Sequence, residues 1–268
     1  MVVKTFFIMN IDEAINEFKR LIEIMLRLRK QCPWDRAQTN ETLRTMTIEE
    51  VYELSEALLE NDDKKIKEEL GDIMLHIMFY SIIADEKDSF DITDVLKVLN
   101  EKLIRRHPHI FSDVTVNNAN EVKQNWEKIK LDEGKKSVLE GVPPHLPSMV
   151  KAYRLQEKAK GVGFDWENIN QVYDKLVEEI NELRHAINSA NKPNIEEELG
   201  DVFFALINYS RFLDINPDDA LEKANKKFIY RFKYIEQKAN DNGSKINNLS
   251  LEEMDKLWDE AKKTKKDY

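Results

Sequence analysis

Apolar residues recur along this chain at the three- and four-residue spacing of helices rather than in alternation. Residues 11–30 carry Ile15, Phe18, Ile22, Met25 and Leu26 at that spacing. Similar patterns predict helices over about 40–60, 64–85, 91–106 and 119–133, then over about 168–189, 194–213, 216–240 and 250–265. Asp91 and the pair Asn216-Pro217 stand where helices should start. A short polar side chain can cap the first free N–H groups there, and Pro fits the first turn. No long alternating run argues for a sheet. The expected fold class is all-α, with two related helical bundles in tandem and no substantial sheet. The apolar start, Met1 to Met9, reads as a frayed extension or a short strand. It is too short for a signal peptide and lacks a small-residue cleavage site.

The second half of the chain repeats the first. Glu49-Glu50-Val51-Tyr52-Glu53 recurs as Glu178-Glu179-Ile180-Asn181-Glu182, and Glu68-Glu69-Leu70-Gly71-Asp72 as Glu197-Glu198-Leu199-Gly200-Asp201. The offset is 129 residues in both cases. Asn100-Glu101-Lys102-Leu103 with Arg106 parallels Asn225-Lys226-Lys227-Phe228 with Arg231. Trp34 and Trp126 fall in one half, Trp166 and Trp258 in the other. Gly134, Gly141, Pro143, Pro144 and Pro147 crowd the join, which is a linker signal. The expected domains are 1–135, a linker over 136–146, and 147–268.

The spacing of the acidic residues carries the chemistry. Glu50 and Glu53 are three apart and share a helix face, as do Glu69 and Asp72. A short turn at Asn61-Asp62-Asp63 separates the pairs, so the two helices should run antiparallel. Residues symmetric about position 61 then stand at equal height, which sets Glu53 against Glu69 and Glu50 against Asp72. Symmetry about position 190 sets Glu182 against Glu198 and Glu179 against Asp201. Two facing pairs about 5 Å apart along the axis enclose a four-carboxylate pocket. Such a pocket needs a counter-cation, because four like charges cannot all ionise at close range. Oxygen-only ligands suit Mg²⁺, or Mn²⁺, better than Zn²⁺. Gly71 and Gly200 sit in the middle of helices at a cost of about 1 kcal/mol against Ala, and close backbone packing is the expected reason.

Composition and charge narrow the function. Lys and Arg number 41 against 51 Asp and Glu, for a net charge of −10. Neutralising the eight paired carboxylates would bring −10 to −2, so the acidity belongs largely to the two proposed sites. A chain this acidic is a poor binder of nucleic acid. No apolar run is long enough to span a membrane. Cys32 stands alone, which excludes an intrachain disulfide and points to the cytoplasm. Beside Pro33, it also lacks an evident activator for nucleophilic catalysis. No Gly-rich phosphate loop is present. His185 and His76 read as structural, since an oxygen-ligand site does not need imidazole.

These residues resemble the MazG-type nucleoside triphosphate pyrophosphohydrolases, whose signature Glu-Glu-x-x-Glu, spacer, Glu-x-x-Asp this chain carries twice. The resemblance runs from about Met9 to the C-terminus. It includes Cys32-Pro33-Trp34-Asp35, Arg105-Arg106-His107-Pro108-His109 and Val162-Gly163-Phe164-Asp165-Trp166. It implies an all-α homodimer and Mg²⁺-dependent hydrolysis of nucleoside triphosphates to monophosphate and pyrophosphate. It makes Glu179, Glu182, Glu198 and Asp201 metal ligands, and Lys175, Lys227, Arg231 and Trp258 nucleotide contacts. The first half retains Glu50, Glu53, Glu69, Asp72, Lys102, Arg106 and Trp126, but Met46 stands where Lys175 would be. The second half is therefore expected to be the main catalytic one. Asn194 occupies a position where some relatives have Lys.

The residues themselves agree with much of this. Lys227 and Arg231 are four apart and can reach one anion together. A Trp258 ring can stack on any base, which suits a broad base range. Glu178 and Glu197 are both open as the general base for water. Two other readings compete. One is a nucleotide-sensing protein with little turnover. The other is a di-iron carboxylate bundle, for which Glu182-x-x-His185 supplies only one of the two motifs needed. The aliphatic stretches 73–83 and 202–212 are expected in the core or in a dimer interface.

Overall fold

The computed structural model describes residues 10–116, 118, 121–122, 125–126, 129, 133–134, 136–189 and 191–264. The chain divides into two compact units, Met1–Ser112 and Asp113–Tyr268. All regular structure among the described residues is helical. The expected extension at 1–9 and most of the helix expected at 119–133 lie outside them.

In the first unit α1 (Ile11–Gln31) is capped by the Asn10 side chain. The one-turn α2 (Pro33–Ala37) leads to α3 (Asn40–Glu60), which opens on a Thr39–Thr42 capping box. α3 ends at Asn61 in the left-handed conformation, with φ 54°. Asn tolerates that region better than most residues. Asp62 then caps α4 (Asp63–Asp85), so the expected turn is real and α4 packs back along α3. Asp91 caps α5 (Ile92–Arg106) in a second capping box, as its sequence position suggested. A short α6 (Pro108–Phe111) closes the unit. The core joins Met25 of α1 and Leu43 of α3 to Met78, Phe79, Ile82 and Ile83 of α4.

The second unit contains a helix that the sequence pattern did not announce, α7 (Ser148–Gly161). Its stripe is broken by Gln156 and Lys158, yet both are buried because each finds backbone partners. Gln156 donates to the carbonyl of Phe204, and Lys158 to those of Val138 and Glu140. Residues of the expected linker are thus tied to α7. α8 (Ile169–Ser189) and α9 (Lys192–Phe212) form the main hairpin, and Pro193 sits in the first turn of α9. Asn216 caps α10 (Pro217–Asp241), and α11 (Leu251–Lys263) packs against it. The buried guanidinium of Arg211 grips Asp165 with both nitrogens and also donates to Asn208. That pairing gives Asp165 a structural role.

Two expectations need adjustment. Among the described residues, a Cβ at Gly71 or Gly200 would meet nothing within 4 Å beyond the helix's own backbone, so the expected close packing is not found at either glycine. The stretches 73–83 and 202–212 are split between core and surface. Met78, Phe79, Ala205 and Ile207 are buried, whereas Met74, Ile77, Phe203 and Leu206 are exposed.

Candidate active site

In the second unit Glu179 on α8 and Glu198 and Asp201 on α9 each direct a carboxylate oxygen to one point, all within 4.8 Å of one another. In the first unit Glu50 on α3 and Glu69 and Asp72 on α4 do the same. The antiparallel hairpin brings these residues to neighbouring heights on facing helices, which puts them within reach of one another. Both groups consist of carboxylates alone, the donor set of a hard cation.

Glu53 and Glu182 stand outside the triads but beside them, and electrostatics shows how near they are. Burial, then the charges of Asp72, Glu53 and Glu69, holds the Glu50 carboxyl above the usual range. Glu69 is raised by burial and then by Glu53 and Asp72. Glu182 is raised by burial and then by Glu179, partly relieved by Lys175. These are the signs of crowded carboxylates with too little positive charge among them.

The chain supplies one such charge itself. Lys175 Nζ lies 2.8 Å from Glu179 Oε1 and 2.9 Å from Glu178 Oε1. Its hydrogen bonds to Glu179 and then Glu178 hold the ammonium well above the ordinary lysine range. Met46, at the equivalent first-unit position, packs instead against the core. Glu197, the other expected base, is exposed beside Glu198.

The basic and aromatic residues gather on α10 and α11. Arg231 lies over the Trp258 ring, 5.3 Å from its centroid, and Phe228 packs against the same ring at 5.3 Å. Lys227 is exposed one turn before Arg231. In the first unit Lys102 and Arg106 are half-buried on α5. Trp126, expected with the first half, falls within residues 113–268.

A polar network beneath the first triad escaped the sequence reading. Thr47 Oγ1 lies 2.8 Å from His76 Nδ1 and 2.7 Å from Tyr80 Oη. It donates to the Leu43 carbonyl, which leaves its oxygen to accept from the other two. The signal was present as Thr and His on apolar helix faces. The second unit has Leu176 and Ala205 at those positions.

With this geometry in view, the comparisons with known proteins are decisive. The MazG nucleotide pyrophosphohydrolase domain matches residues 38–111 and 168–235. The chain belongs to the MazG family. The matched segments contain both acidic triads, so the MazG signature and the geometric clusters coincide. A Thermotoga maritima protein, "nucleoside triphosphate pyrophosphohydrolase/pyrophosphatase MazG", is 45% identical over 91% of this chain and 95% of its own length. The Escherichia coli (strain K12) "nucleoside triphosphate pyrophosphohydrolase" is 37% identical over 93% of this chain and 98% of its own. The crystal structure of a mazG-related protein from Thermotoga maritima aligns with a TM-score of 0.38 and 28% identity. It covers 42% of this chain and 98% of that one.

Proposed function

We propose that this chain hydrolyses nucleoside triphosphates, over a broad range of bases, to nucleoside monophosphate and pyrophosphate. Residues 147–268 form the main catalytic domain in this reading, joined through 136–146 to a first domain, 1–135, that is less active. One observation carries the proposal: an all-carboxylate triad inside the second MazG-matched segment. Its donors suit Mg²⁺ or Mn²⁺, held by Glu179, Glu198 and Asp201 with Glu182 alongside. Such a cation, when bound, offsets the charge of the triphosphate and acidifies water.

The chain's own residues do the rest. Water adds to the α-phosphorus, the bond from that phosphorus to the bridging oxygen breaks, and pyrophosphate leaves with the electron pair. The proton of water passes to a carboxylate. Glu197 is favoured over Glu178 for this, because Glu178 already accepts from Lys175. Lys227 and Arg231 hold the phosphates, and the Trp258 ring supports the base. The exposed apolar side chains of Phe203 and Leu206 support a homodimer that covers them. The same scheme, with Glu50, Glu53, Glu69, Asp72, Lys102 and Arg106, describes the first site.

Phosphorus NMR of each nucleoside triphosphate incubated with the protein and Mg²⁺ tests this reading. Monophosphate plus pyrophosphate is expected, lost with chelator or with Glu179→Ala. Diphosphate plus orthophosphate would overturn it.

A further inference from the structure

Both triads crowd three carboxylates into the same small space, and in the second a cation of the chain itself, Lys175, is paired with a triad member. Glu179 is the more deeply placed of the two partners of Lys175. Its side chain is 10% exposed, against 56% for Glu178. The Lys175 ammonium therefore bridges a buried triad member and a solvated neighbour. A carboxylate oxygen that accepts an ammonium at 2.8 Å has that lone pair committed. The second oxygen of Glu179 remains open, but the ammonium beside it repels a divalent cation there, so the two cations compete for Glu179. Glu178 offers a second seat within reach, and the flexible four-carbon stem of Lys suits such an exchange.

Resting on the reading that Glu179, Glu198 and Asp201 hold a divalent cation, we infer that Lys175 is a tethered counter-cation. It occupies Glu179 until a divalent cation binds, and is then displaced while Glu178 retains it. Its ammonium becomes available to an anionic phosphate only in the loaded site, so the two positive seats needed by a triphosphate form together. In the first unit Met46 stands at the equivalent position and offers no ammonium to Glu50.

The test is Mn²⁺ binding to the full chain, followed by electron paramagnetic resonance. A Glu69→Gln, Asp72→Asn background restricts the count to the second triad. Lys175→Met and Lys175→Gln are each expected to bind Mn²⁺ about fivefold more tightly than Lys175 itself, the equivalent of one ion pair. In a Glu198→Gln, Asp201→Asn background, Met46→Lys is expected to weaken Mn²⁺ binding at the first triad. A crystal structure of the Mn²⁺-loaded chain is expected to show Lys175 Nζ detached from Glu179 and still paired with Glu178. Unchanged or weaker binding by both Lys175 variants, or an intact Lys175–Glu179 pair beside bound Mn²⁺, would overturn the inference and leave the metal reading standing. Failure of every variant to bind Mn²⁺ at the second triad would overturn both.

Discussion

Thr47 Oγ1 and His76 Nδ1 stand 2.8 Å apart, tying α3 to α4 within one turn of the first acidic triad. Burial lowers the His76 pKa from its ordinary 6.5, with Asp72 opposing the shift. The neutral ring is therefore the folded form. Above pH 6.5 neither state binds the proton and the stability is fully present; below it the unfolded chain takes the proton first and stability falls. Thermal melts of the first unit are expected to drop between pH 7 and 5.5. His76→Gln should flatten that drop.

The carboxylates of both hairpins should show the opposite trend. Glu50, Glu69 and Glu182 are raised above the ordinary 4.5, each through burial first and neighbouring carboxylates second. Their contribution is full below the unfolded value and is lost as pH rises through the folded one. The metal-free chain is thus strained at neutral pH. Neutralising the two raised members of the first triad, as in Glu50→Gln, Glu69→Gln, should raise the melting temperature without cation. Mg²⁺ or Mn²⁺ at about a hundred times its Kd should add about 2.7 kcal/mol to the parent chain per site and nothing at the neutralised triad. Calorimetry with and without cation checks both statements.

The two sites should not be equal in turnover. Glu182→Ala is expected to lower kcat by about 100-fold or more, on the scale of losing one preorganised charge at a reacting centre. Glu53→Ala should cost far less. Steady-state pyrophosphate release measures both, and equal losses would contradict the second domain's leading role.

Arg211 and Asp165 form the other costly pair. Their side chains are 6% and 18% exposed, so removing the cation leaves a carboxylate with little water to compensate it. Arg211→Met is expected to destabilise the second unit by about 2–4 kcal/mol, read from the urea midpoint. Lys160, 4.0 Å from Asp165, is too exposed to take over the pairing.

Gly71→Ala and Gly200→Ala test what covers these helix faces. Among the described residues, nothing beyond the helix's own backbone lies within 4 Å of the added methyl. Each change should therefore stabilise its helix by about 0.5–1 kcal/mol in urea titrations. A loss of stability, with a shift in oligomeric mass, would place a second copy of the chain against that backbone.

Much of this arrangement was legible without coordinates. The helices other than 148–161, the hairpin turn at Asn61, the hairpin symmetry about position 190, and the facing of Glu50 with Asp72 and of Glu179 with Asp201 follow from helical periodicity and antiparallel symmetry. Those are local rules that hold whatever surrounds them. The helix 148–161 was not legible, because Gln156 and Lys158 are polar residues buried by partners distant in sequence. The role of Asp165 was hidden for the same reason, since Arg211 is far along the chain.

The sequence by itself therefore determined the all-α class, the duplication and the two acidic clusters, because period and spacing act over a few turns of helix. Tertiary structure alone decided which carboxylates form the tight triads and which stand beside them, and it set Lys175 on Glu179 and Arg231 over Trp258. Those choices depend on ångström-scale side-chain placement and on burial. Spacing constrains neither, because a helix face names the neighbours a side chain can reach but not the one it takes.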